Sequence, residues 1–263
     1  MKKLLLIGCL FLSVKIFSQD NYEIQVYGSQ TQAPHSSIFE LHSNYTFVGE
    51  QNIVNGVRPS YHALHETLEV TTGVTKNFEI GFYLFSNYTS PYGYQFVGTH
   101  IRPRIMAPTE WHLPVGLSLS AEFGYQRPEY SDETWNFEIR PIIDKTWGKF
   151  YASFNPTLGI ALQSVEGNHT PVFEPNIKAA YQFFKKAFLG IEYYGSQGPI
   201  NNFYKLSNQS HAIYFAYDLT NVAQWELNIG PGWGLTKATD GFVFKILVGR
   251  RINWSRKNNA HHA

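Results

Sequence analysis

Histidine, glutamate, arginine and serine are the residues here that could do chemistry, and their spacing decides which chemistry. Nucleophilic catalysis on an extended chain needs a base and a hydroxyl two residues apart, because a period of two puts both on one face. His42, Ser43 and Asn44 are consecutive, so His42 and Ser43 point opposite ways. His35 and Ser37 have the spacing but sit at a turn, and His65 meets it only with Thr67. No enzyme is expected, and the histidines read as lining a polar interior. His62, His65, Glu66 and Glu69 have the composition of a metal set, yet on a strand His65 and Glu69 share one face while His62 and Glu66 take the other. The β-branched Val70, Thr71 and Thr72 oppose the helix that a helical zinc motif needs. No glycine-rich phosphate loop joins a strand to a helix. Neither metal nor cofactor is expected.

The remaining charged residues need strands to position them. Residues 114–126 alternate Val115, Leu117, Leu119, Ala121, Phe123 and Tyr125 with Gly116, Ser118, Ser120, Glu122, Gly124 and Gln126. That run is long enough to cross a bilayer at barrel tilt, for which roughly 9 to 11 residues suffice. The same design recurs at 37–48, 62–73, 78–87, 94–106, 133–143, 150–162, 172–182, 187–196, 209–219, 225–235 and a final strand ending near Trp254. The connections alternate short and long, as in barrels with brief periplasmic turns and longer outer loops. The expectation is an all-β chain, a transmembrane antiparallel β-barrel of about twelve strands. Residues 22–29 read as a short strand that would make an odd count, so this strand is expected not to span but to plug or brace the periplasmic end.

Composition agrees. Charged residues are 16% and aromatics 16%, and the polar faces are rich in Gly, Ser and Asn, unlike a solvent-washed face. Trp135, Trp225, Trp233 and Trp254 lie near strand ends on the apolar face, where interfacial girdles occur. Residues 1–18 read as a secretory signal, with Lys2 and Lys3 before an apolar run over 4–14. Cys9 lies inside that run, too early for a lipid attachment site. Losing Lys2, Lys3 and Lys15 takes the net charge from +1 to −2, and no basic patch argues for nucleic acid. The expected organisation is a signal over 1–18, a non-spanning segment over 19–36, the barrel over 37–254 and a polar tail over 255–263. Export to the outer membrane of a Gram-negative bacterium follows, with outer-membrane lipid around the barrel. A secreted or periplasmic all-β binding module is the other reading of the same alternation.

Folding the hairpins about 107–112 and 127–132 puts Arg102, Ser118 and Arg140 at one level, with His100, Ser120 and Glu138 a step outward and Glu122 beside them. The expected lumen cluster is therefore His100, Arg102, Glu122, Glu138 and Arg140. Glu40, His42, His65, Glu69, Arg104, Glu174, Lys178 and Glu226 are the other lumen-facing candidates. A charge facing lipid would cost about 2 to 4 kcal/mol at the midplane, so these need a hydrated lumen or mutual pairing. Paired charges stiffening the wall and a selective constriction both fit.

Gly249, Ile252 and Trp254 resemble the closing signal of outer-membrane barrels, which implies recognition by the barrel assembly machinery. The stretches 22–29, 62–69 (HALHETLE), 100–104 (HIRPR), 114–126 (PVGLSLSAEFGYQ) and 138–145 (EIRPIIDK) resemble outer-membrane transporters grouped as the "MetA-pathway of phenol degradation" proteins. The resemblance implies an outer-membrane barrel with a solute-transport role, and the lumen cluster makes the expected function a passive channel or transporter for a small aromatic or polar organic solute. A closed structural or ligand-binding barrel is the alternative.

Overall fold

Each strand pairs antiparallel with its sequence neighbours, and the last returns to the first. The computed structural model describes residues 21–254 except 165, 166, 168 and 223, so the expected signal segment and tail lie outside the described residues. The strands are β1 Ser36–Val48, β2 Ala63–Gly73, β3 Phe78–Thr89, β4 Gly93–Met106, β5 Gly116–Gln126, β6 Glu133–Trp147, β7 Phe150–Ser164, β8 Val172–Phe184, β9 Ala187–Ser196, β10 Ser210–Val222, β11 Trp225–Gly234 and β12 Phe242–Asn253. β1 closes on β12 from Ser36 opposite Asn253 to Val48 opposite Phe242. The result is a closed barrel of twelve antiparallel strands.

The burial is inside out. Outward residues such as Leu41, Leu68, Phe82, Leu84, Leu119 and Ile191 are exposed, while inward His42, Thr67, Glu69, Arg102 and Glu192 are almost completely buried. A water-soluble sandwich would bury the first set and expose the second. Aromatic pairs reinforce the outer surface near strand ends, among them Phe123 against Trp135 at 5.3 Å and Trp233 against Phe242 at 5.4 Å.

The observed elements depart from the expected ones at three places. β6 runs on to Trp147, so Asp144 is a strand residue and the turn is only 148–149, where Gly148 takes a φ of 63°. Alternation puts Val97 with Thr99, Ile101 and Ile105 on the outer face, opposite His100, Arg102 and Arg104, but a register shift between Phe85 and Ser86 of β3 turns it inward and buries it against Tyr22, Tyr83 and Phe85. Residues 22–29 form no strand of the sheet.

At the end carrying the longer loops, the connection 49–62 folds over the mouth. Arg58 stacks on Tyr92 at 4.0 Å and on Tyr130 at 5.1 Å, and donates to the Tyr130 hydroxyl at 2.7 Å. Ser60 donates to Asp240 at 2.6 Å, joining this loop to the 235–241 connection.

Candidate functional site: the filled lumen

Residues 21–34 run through the barrel from one mouth to the other. At the long-loop end, Asn21 donates to Asp240 at 2.5 Å, Asn44 donates to the Asn21 carbonyl at 2.8 Å and Thr67 to the Tyr22 carbonyl at 2.7 Å. Midway, Lys245 donates to the Ile24 carbonyl at 3.1 Å, and Asn155 both accepts from Tyr27 N at 2.8 Å and donates to Tyr27 O at 3.0 Å. Further along, Arg104 donates to the carbonyls of Gly28 and Gln30 at 3.0 and 2.8 Å, and Ser29 donates to Asp144 through N and Oγ. Gln32 N reaches Glu79 at 2.5 Å, and Pro34 bridges to Gly73 at the short-turn end. A side chain on Gly73 would overlap the Ala33 carbonyl, which is why the chain can leave there. Side chains of the wall thus satisfy a backbone that has no sheet partner. Expected to plug or brace the periplasmic end, the segment instead occupies the whole length of the lumen.

The expected cluster divides. His100 pairs with Glu122, filling space left by Gly124, where a Cβ would meet the imidazole. Glu138 pairs with Arg140 at 2.7 Å. Arg102 turns the other way, to Glu69 at 2.7 Å, Glu79 at 3.4 Å and Thr71 at 3.1 Å. The register explains the split. Arg140 lies opposite Ser120, not Ser118, and Ser120 lies opposite Arg104, not His100; Ser118 faces Met106 and Ile142, and Glu122 faces Glu138.

The two halves are joined by the segment in the lumen. Arg102 Nε donates to the Tyr83 hydroxyl, and the Tyr83 and Tyr27 hydroxyls lie 3.1 Å apart. Tyr27 in turn donates to Glu23, which accepts from Arg140 at 3.1 Å. The Tyr27 ring lies 4.7 Å from the Arg102 guanidinium, 4.8 Å from that of Arg140 and 5.6 Å from that of Arg104. Arg104 also pairs with Glu79 at 2.6 Å.

The other candidates all take the inner face. His42 meets Glu69 at 3.3 Å while its neighbour Ser43 points outward to Glu66, so the two are separated as the period of two requires. His65 meets Asn87 at 3.3 Å and the edge of Tyr22, and His62 lies in the outer loop against Tyr45. Lys178 pairs with Glu192 at 2.9 Å and Asp218 at 2.8 Å, and Lys245 adds a second cation to Glu192. Glu226 pairs with Arg251, whose Nε reaches Gln32 at 3.0 Å. Glu40 is buried beside the inner opening, and Glu174 lines the outer one.

Sequence reasoning missed Glu23, Tyr27, Glu79, Tyr83, Asp144, Glu192, Asp218 and Lys245. Glu79 shares a parity with Gly81 opposite Phe78, Ile80 and Phe82, and this could have marked it. Tyr83, Tyr194 and Tyr214 are inward aromatics, and Val243 and Leu247 flank Lys245 on its own face, so polarity alone does not identify that face. Glu23 and Tyr27 belong to a segment that alternates like a short strand but forms none of the sheet, so alternation does not place them.

On either side of this charged layer the lumen widens. A cavity of about 540 Å³ lies toward the long loops and includes Glu23, His100, Glu138 and Arg140 in its lining. One of about 880 Å³ lies toward the short turns and includes Tyr27, Arg102, Arg104 and Asp144.

The closed barrel of antiparallel strands is a fold that this chain shares with solved outer-membrane proteins. It is shared with an outer-membrane channel from Pseudomonas putida F1, at 10% identity and a TM-score of 0.58 over 88% of this chain and 100% of that one. It is shared also with the NanC porin, at 8% identity and 0.53 over 81% and 100%, and with the KdgM porin, at 9% and 0.51 over 81% and 98%. By sequence, no family model and no curated protein matches the chain.

Proposed function

We propose that this protein is an outer-membrane channel for a small solute, closed by residues 21–34 and opened when they leave the charged layer. The observation that carries this is the pair of cavities of about 540 and 880 Å³, at opposite mouths and divided by a segment that is not a strand of the sheet. The exposed apolar belt supports a bilayer setting, since a polar solvent would leave it uncovered. The fold neighbours and the stretches resembling the "MetA-pathway of phenol degradation" proteins accord with a transport role. No catalytic step is needed for it.

The test is conductance in planar bilayers. The native chain should conduct weakly, and a chain with residues 21–32 replaced by a glycine and serine stretch of equal length should conduct in larger steps. Folded barrels of both kinds that pass neither ions nor small solutes into liposomes would refute the channel. The second reading, a closed barrel, draws on the many wall side chains that hold the segment's backbone.

A further inference from the structure

Glu23 and Tyr27 sit in the charged layer as a bound small molecule would. An aromatic ring faces three guanidinium groups, and a carboxylate one hydrogen bond beyond the ring oxygen pairs with Arg140. Neither residue belongs to the sheet. When they leave, Glu138 stays on Arg140, and Glu69 and Glu79 stay on Arg102. What the layer loses is one ring and one negative charge. A neutral aromatic would restore the ring and leave Arg140 with Glu138 in place of two carboxylates, whereas an aliphatic acid would restore the charge and leave the guanidinium faces bare. A molecule carrying both exchanges with the segment at constant net charge.

We propose that this layer is a binding site for an arylalkanoate, a carboxylate held a short spacer from an aromatic ring, as in an arylacetate or aryloxyacetate. Glu23 and Tyr27 are its built-in competitor. The short spacer follows from the carboxylate lying just beyond the phenol oxygen. The site can be approached from both cavities, because Glu23 and Arg140 line one and Tyr27, Arg102 and Arg104 line the other. Passage of the solute rests on the channel reading, but binding does not.

The test is calorimetric binding of phenylacetate to the full-length purified protein in detergent, with 2-phenylethanol and cyclohexylacetate as comparators. Tyr27→Ala removes the competing ring and should tighten phenylacetate binding about tenfold or more, since a competitor lowers apparent affinity by the fraction of sites it holds. Glu23→Gln keeps the ring, removes the competing anion and should act in the same direction. Adding Arg140→Met to either should abolish the gain. Unchanged affinity in both single variants, or equal binding of all three probes, would overturn the proposal. Heat-modifiable gel mobility identifies folded barrels, and Glu23→Gln decides the matter if Tyr27→Ala does not fold. Conductance of the same preparations separates the two readings: selective binding without conductance sinks the channel and leaves the site, while conductance without selective binding does the reverse.

Discussion

Replacing Arg104 with methionine keeps most of the side-chain volume and removes two charge-assisted hydrogen bonds to the lumen segment, at 3.0 Å to Gly28 O and 2.8 Å to Gln30 O. Hydrogen bonds to charged groups contribute about 1.5 to 3 kcal/mol each, so the segment loses roughly 3 to 6 kcal/mol of hold. Part of that returns as water reaches the freed carbonyls and as the closed state adjusts. Taking about 3 kcal/mol, the ratio of open to closed lumens rises roughly a hundredfold. The barrel loses less, because Glu79 keeps Arg102 at 3.4 Å and Gln32 N at 2.5 Å. Single-channel recording in planar bilayers measures the open fraction directly. Arg104→Lys retains the charge with fewer donors and should fall between the two. An open fraction unchanged in Arg104→Met, with normal heat-modifiable mobility, would refute the idea that these bonds keep the lumen closed.

Asp144→Asn weakens the acceptor for Ser29 N and Oγ, at 3.1 and 2.6 Å, and should raise the open fraction by a smaller factor, about tenfold, in the same recordings. Lys178→Met combined with Lys245→Met leaves Glu192 buried without its two cations and should lower barrel stability by about 3 to 5 kcal/mol in urea unfolding from detergent. Arg58→Ala removes the contacts to Tyr92 and Tyr130 and should speed proteolysis within 49–62 without changing barrel unfolding. Asp240, in the loop clamp, has its carboxyl pushed above the usual aspartate range chiefly by burial, against lowering contacts from Ser60 and Asn21. Its contribution to the clamp is therefore full below the ordinary carboxylate pKa and is lost as pH rises through the raised value. Proteolysis of 49–62 should speed up over that rise in the native chain, and Asp240→Asn should flatten the dependence.

Much of the barrel is legible in the chain because one rule, the period of two, governs every strand. It separates Leu117 and Leu119 from Ser118 and Ser120, puts His42 and Ser43 on opposite faces, and yields twelve strands with bounds close to those observed. It also assigns Arg102, Arg104, Glu122 and Arg140 to the interior. It cannot set the register between neighbours, because a slip by any even number of residues leaves every side chain on the same face. The expected register errs in that way: Arg140 meets Ser120 instead of Ser118, and Ser118 meets Met106 instead of Arg102. Each choice satisfies the alternation equally, and only the fit of long side chains in the closed lumen distinguishes them.

Residues 21–34 mark the other limit. Apart from the bridge of Pro34 to Gly73 they pair with no strand, so the alternation of Tyr22, Ile24 and Val26 with Glu23 and Gln25 ties them to no face of the sheet, and their hydrogen-bond partners lie as far away as Asn155, Asp240 and Lys245. The sequence by itself determined the closed sheet and which residues turn inward, since those follow from local alternation. The tertiary structure decided that Arg140 shares its level with Arg104 and not with Arg102, and that Tyr27 and Glu23 stand between Arg102 and Arg140. That arrangement exists only once the barrel encloses the segment, because its contacts come from strands on every side of the lumen.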